Sequence, residues 1–148
     1  MRFRAAVVLM LVLALAALRV DALAESTPPD GFLLIVNPAN QTSDLDRSFV
    51  ADAFLKKITH WSNDEAIRPA DLVPGSRVRR KFTEDVLRRS VDAVKGYWQQ
   101  RIFSGRDVPP PEFESDADVI RYVLKYPGAI GYVSASTGPG GTKVVSVR

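Results

Sequence analysis

The stretch DAFLKKITHWSNDEAI, Asp52–Ile67, changes character halfway along. Its front half closes an apolar stripe made by Leu45, Phe49 and Ala53 with the neighbouring Val50 and Phe54, the spacing of an amphipathic helix. Ser43, with Asp46 three residues on, reads as the N-cap of that helix. Asp44 and Asp46 at its start and Lys56 and Lys57 at its end suit the helix dipole. A polar turn follows, yet it holds Trp61 beside His60, the one histidine of the chain. With that one histidine and no cysteine, a metal site would need carboxylates alone, and the sequence clusters none for it. No metal ligand and no functional role is therefore assigned to His60.

Upstream, Arg2 and Arg4 precede an unbroken apolar run of 14 residues, Ala5–Leu18. That is short of the roughly 20 residues a membrane-spanning helix needs. Ala22-Leu23-Ala24 then offers small residues at a cleavage spacing, so residues 1–24 read as a secretory signal peptide and 25–148 as the mature, non-spanning domain. Export of this kind places the protein in the periplasm. Without residues 1–24 the net charge drops from +3 to +1, which argues against nucleic acid as a partner. The 124 residues left suit one domain with its own core. The absence of cysteine excludes a disulfide framework and a lipid anchor at a cleavage-site cysteine.

Within the mature chain, Phe32–Asn37 is a continuous apolar run ending in Asn-Pro, the pattern of a buried strand entering a loop. Ile67–Val73 alternates loosely as a strand, with Pro69 pointing to an edge position or an irregular segment. Ser76 caps a helix expected from Arg77 to Arg88, and Ser90 caps another with Val91, Val94, Trp98 and Ile102 on one face. SGRDVPPPEFES is a loop, since three consecutive prolines forbid helix. Ser115 and Asp118 start a helix running to about Lys125, and AIGYVSA and TKVVSV read as strands around the turn TGPGG. Helices and strands are interspersed, so the class is α/β.

One helix breaks the charge rule. Its first turns carry Arg77, Arg79, Arg80 and Lys81, where cations cost roughly 0.3–1 kcal/mol each at an exposed site. Arg80–Glu84 and Lys81–Asp85 can pair, in the weaker orientation. Two readings fit the excess: an anion bound at the helix start, or a solvated basic face.

Three segments, AFLKKITHWSNDEAI, PGSRVRRKFTEDVL (Pro74–Leu87) and PGAIGYV, together resemble the periplasmic phosphate-binding proteins, the substrate-binding components of phosphate ABC importers. AFLKKITHWSNDEAI (Ala53–Ile67) is similar to a family segment that has glycine where Lys56 stands. PGSRVRRKFTEDVL occupies the place of the family's Gly-Ser-Gly-Thr anion loop, and PGAIGYV (Pro127–Val133) matches the family's closing run in full. The resemblance implies a single lobe of a type 2 periplasmic-binding-protein-like fold, a sheet flanked by helices. It implies that Trp61 is a packing anchor. It also implies an anion site at Gly75, Ser76 and Arg77, with Ser76 donating from hydroxyl and backbone and Arg77 adding charge. The family loop's second Gly-Thr is replaced by Arg77-Val78, and Leu72, Val73 and Pro74 stand where the family has Arg-Ser-Asp.

Two functions follow as expectations. The first is a module that binds phosphate or a similar oxyanion. The second is a non-catalytic interaction module docking on a periplasmic sensor or transporter partner through Arg79, Arg80 and the loop Arg106–Phe113. No catalytic residue and no cofactor are assigned, because one histidine in a turn assembles no Ser-His-acid set and no nucleophile elbow occurs. N-terminal sequencing of exported material is expected to begin at Glu25; an intact Met1 would contradict the processing.

Overall fold

The computed structural model describes residues 31–148. The expected signal peptide and the lead-in to residue 30 lie outside the described residues. Strand β1 (Phe32–Val36) sits at the centre of a five-stranded sheet of order β2-β7-β1-β6-β3. It runs antiparallel to β6 (Ala129–Ser134), with Leu34 opposite Tyr132, and to β7 (Lys143–Val147), with Ile35 opposite Val144. Its apolar run is continuous because both faces are covered: Leu34, Ile35 and Val36 are all buried.

The two faces carry different packing. On one, Tyr132 stacks on Phe82 at 3.9 Å between ring centroids, with Phe32 and Phe54 completing an aromatic cluster. Phe54 comes from α1 (Arg47–Phe54) and Phe82 from α2 (Arg77–Phe82). On the other face α4 (Asp116–Lys125) lies directly on β6, with Val119 and Val123 fully buried. Gly131 makes that approach feasible, since a Cβ there would stand 2.7 Å from a Val119 methyl. Asn37, which ends β1, donates from its side-chain amide to the Val123 and Leu124 carbonyls at 2.9 and 3.1 Å. It thereby satisfies carbonyls that the end of α4 would leave unpaired.

The segment with Trp61 is joined to PGAIGYV by one backbone carbonyl. Gly128 O accepts from the Trp61 indole at 3.0 Å and from the Arg68 amide at 3.0 Å. A Cβ on Gly128 would lie 1.9 Å from the Ala66 carbonyl oxygen, so only glycine fits. Trp61 is buried and packs on Phe49, as a packing anchor should, whereas His60 is exposed, bridges Ala66 through its backbone and has its ring Nδ1 2.9 Å from Thr59 Oγ1. The same carbonyl starts β3 (Arg68–Pro69), an edge strand parallel to β6. Pro69 is tolerated there as expected: the amides of Arg68 and Ala70 make the bonds to β6, and the proline nitrogen faces away.

Several boundaries differ from the sequence reading. Helix α1 starts at Arg47 with Asp46 as N-cap, and Ser43 is not its cap. Ser43 and the short strand β2 (Asp44–Leu45) instead bond the final strand, through Ser146 N to Ser43 O and Arg148 N to Leu45 O. Asp44 accordingly pairs with Arg148 at 2.7 Å rather than serving the helix dipole. Helix α2 stops at Phe82 and continues as a π-turn, Thr83–Leu87, which ends at Arg88 with φ +55°. The π-turn keeps Val86 and Leu87 inward together with Phe82 and frees the Val86 carbonyl for Arg47 Nη1, at 2.7 Å. Ser90 caps α3 (Val91–Phe103), but Ile102 is half-exposed and not on the buried face with Val94 and Trp98. Lys56 holds φ +52°, the left-handed region that favours glycine.

Trp61→Ala is expected to cost about 3–5 kcal/mol, as for a buried aromatic truncation. Trp61→Phe should cost about 1–3 kcal/mol for the lost indole bond, and His60→Ala less than about 0.5 kcal/mol. Denaturant midpoints of the three variants check the order.

Candidate functional site: the Gly75–Arg77 turn and the buried arginine beneath it

The turn that carries the expected anion site follows a small second sheet. Strand β4 (Asp71–Leu72) pairs in parallel with β5 (Glu112–Phe113), Asp71 opposite Glu112. Val73 N donates to Phe113 O, and the chain then turns through Pro74 and Gly75 into α2. Ser76 is the N-cap, its hydroxyl accepting from Arg79 N at 3.2 Å. Gly75 and Arg77 are exposed and Ser76 is half-buried. A Cβ built on Gly75 meets nothing within 4 Å, so the turn borders open space.

One part of the expectation is corrected. The Ser76 backbone amide is taken by the Val73 carbonyl at 3.0 Å, so it does not point at a ligand. The hydroxyl keeps its own hydrogen to donate, because a serine oxygen accepts and donates at once.

The basic run of α2 is explained in a way neither sequence reading foresaw. Arg79 is not a surface residue: it is 4% exposed and its guanidinium lies inside the lobe. Nη1 donates to the Leu72 carbonyl and to Glu112 Oε1, both at 2.6 Å, and Nη2 lies 3.3 Å from Asp71 Oδ2. Asp71 in turn accepts from the Tyr132 hydroxyl and from the Leu72 amide. Arg79 thus clamps α2 to both strands of the small sheet, and Tyr132 joins that clamp to the main sheet. Its Nε is buried without a hydrogen-bond partner among the described residues. Farther along, Lys81 pairs with Asp85 at 2.9 Å, as its spacing allows.

Burial sets the proton affinities here. It pushes the Asp71 carboxyl above its usual range, against the pull of Arg79, Tyr132 and the Leu72 amide. Burial also works to lower the Arg79 guanidinium, but Asp71 and Glu112 outweigh it and hold the group charged. Burial, with Asp71 next to it, raises the Tyr132 phenol, which therefore stays a donor. A signal for the clamp was present in the sequence: Arg79, Phe82 and Val86 fall on one helical stripe.

Surface cavities among the described residues lie elsewhere. One, about 290 Å³, is bordered by Asn40, Thr42, Trp61, Asn63, Glu65 and Pro127. The other, about 210 Å³, runs along Phe113, Tyr122 and Tyr126. Neither includes Gly75, Ser76 or Arg77.

The described lobe has the fold of a type 2 periplasmic binding protein. A Clostridium perfringens protein assigned as a phosphate ABC transporter substrate-binding protein, solved with bound phosphate, superimposes with TM-score 0.63 at 24% identity. The match covers 79% of this chain and 44% of that one. An ABC-type phosphate transport receptor from Vibrio cholerae gives TM-score 0.62 at 19% identity, over 79% of this chain and 46% of that one. A protein from Planctomyces limnophilus described as a possible phosphate binding protein gives 0.57 at 20%, over 80% and 41%. At these identities the likeness is one of fold, and this chain spans less than half the length of the proteins it matches. No protein-family model and no curated protein matches the sequence.

Replacing Arg79 with methionine is expected to destabilise by about 3–5 kcal/mol, because Asp71 would keep a buried charge without its partner. Arg80→Met, on the exposed side of the same turn, should change stability by less than about 0.5 kcal/mol. Equal melting temperatures for the two variants would contradict the clamp.

Proposed function

We propose that this chain is a periplasmic phosphate-binding-protein-like module that takes phosphate or a similar tetrahedral oxyanion, weakly, at Gly75, Ser76 and Arg77. The observation that carries the reading is the turn itself: an open glycine, a capping serine with a hydroxyl hydrogen to spare, and an exposed arginine. The fold supports it, since one of its structural neighbours was solved with phosphate bound. The site faces water, where such interactions are weak, and the Ser76 amide is already engaged. No catalytic step is assigned to these residues. Among the described residues no helix is long and apolar enough to cross a membrane.

A second reading has its own observation. Phe103 is 95% exposed, and Ile102 and Val108 are more than half exposed, around the end of α3 and the loop after it. A contiguous apolar patch left in water marks an interaction surface. The alternative is a non-catalytic module docking on a periplasmic sensor or transporter partner by that end of the lobe, with Arg106 beside it. Arg79 is withdrawn from that surface because it is buried.

Phosphate should raise the melting temperature above matched ionic strength in chloride, following RT ln(1 + [L]/Kd). A Kd of about 0.1–1 mM is expected, or roughly 4–5.5 kcal/mol of binding free energy. Ser76→Ala combined with Arg77→Ala should remove the phosphate-specific part. Identical wild-type shifts in both salts would leave the interaction module as the better reading.

A further inference from the structure

We propose that the end of α3 is a membrane-docking tip: Phe103, with Ile102 and Val108, enters an anionic lipid surface, and Arg101 and Arg106 meet its phosphate groups. The inference does not depend on the oxyanion reading of the Gly75–Arg77 turn. It takes the apolar end of the lobe that the second reading gives to a protein and assigns it a lipid partner instead.

The backbone of the tip is fixed. Gly105 N donates to Ile102 O and Arg106 N to Arg101 O, both at 3.0 Å, with Gly105 at φ +63°. That pair of bonds is the glycine-ended closure of a helix. Beyond it, Asp107 accepts from Val108 N at 2.7 Å and pairs with Lys56 at 3.4 Å, and Pro109–Pro111 stiffen the exit. This ordered segment holds the Phe103 ring 95% exposed, with Ile102 and Val108 on either side of the turn. A phenyl ring left in water adds nothing to the core, and held in place it is pre-organised to be buried against something else.

The charges behind the tip name that something. The closure usually brings an apolar contact between its two flanking positions. Here those positions are Arg101 and Arg106, and neither guanidinium has a hydrogen bond or ion pair among the described residues. Arg101 lies 5.3 Å over the Tyr97 ring, with its Nε buried and unmatched. Arg89 lies over the same ring at 5.7 Å, and the Tyr97 hydroxyl donates to Leu55 O, next to Lys56. Against these cations stands Asp107, which Lys56 already pairs and whose charge Arg101 also feels.

An apolar tip with a cationic collar behind it matches a bilayer, where hydrocarbon lies beneath a layer of anionic headgroups. A second copy would set the same cations against each other. The tip also projects: neither cavity described above includes residues 101–108. With no membrane-crossing helix among the described residues, such contact is peripheral and reversible.

The test is co-sedimentation of the purified protein with vesicles of phosphatidylcholine alone and of phosphatidylcholine and phosphatidylglycerol in equal parts. Wild type is expected to bind the anionic vesicles, less so as salt is raised. Phe103→Ser should weaken that binding at least about fivefold. Arg106→Gln should weaken it about fivefold, as one cation lost at a charged surface, and because Arg106 is exposed it serves even if Arg101→Gln fails to fold. Leu124→Ser, which removes a half-exposed apolar side chain on α4, should leave it unchanged; melting reports that each variant is folded. Equal binding to both vesicle types, or binding that Phe103→Ser leaves unchanged, would overturn the lipid assignment. No binding to either would overturn it as well and return this end of the lobe to a protein partner, while the phosphate melts decide the oxyanion reading separately.

Discussion

The carbonyl of Gly128 is the point on which the lobe closes. It accepts from the Trp61 indole and from the Arg68 amide, and its Cα passes so near Ala66 that no side chain can be present. Three things depend on that single oxygen. The turn after α1 is fixed through Trp61, the edge strand β3 gets its register against β6, and β6 starts at the level that sets Gly131 under α4. Two stretches that look like separate motifs in the sequence are the two sides of one contact.

A second constraint sits on the opposite side of β6. Tyr132 stacks on Phe82 and bonds Asp71, which pairs with Arg79. A buried ion pair contributes little net stability compared with a well-packed apolar alternative, because both charges lose their hydration. Its effect is on geometry. Replacing either partner strands the other, so the clamp fixes where α2 begins relative to the small sheet, and with it the position of Ser76. The basic stretch that looked like either a ligand site or a solvated face is split between the two environments: Arg79 inside, Arg77 and Arg80 outside.

Much of the fold was legible in local patterns. Ser76, Ser90 and Ser115 each cap the helix that the spacing assigned to them, and the runs at β1, β6 and β7 are strands. Pro69 lies on an edge, one of the two readings its position allowed, while the expected strand over 67–73 divides between two sheets, β3 and β4. What failed were features decided by distant partners. Ser43 had good capping chemistry, but the last strand took its carbonyl and shortened the helix. Arg79 was read by its charge rather than by its place on the stripe with Phe82 and Val86, because Asp71 sits in a two-residue strand across a turn and Glu112 lies 33 residues on, beyond another helix. The capping half of the candidate site was therefore visible in the sequence; of the buried half the stripe was visible, and the acids that receive Arg79 were not.

The sheet order also has a consequence for how the chain acquires its structure. The central strand β1 is the first element of the described lobe, yet its two partners are the last two. Pairing that spans nearly the whole described chain cannot be nucleated locally and must wait for a large loop to close. Until β6 arrives, Phe32–Val36 is an apolar, strand-forming segment with both edges open. The contact between α1 and the π-turn after α2 spans a shorter stretch of chain than the pairing of β1 with β6. A chain whose central strand must wait for its last two elements has an unpaired apolar strand for longer, and such edges are where pairing with another copy occurs.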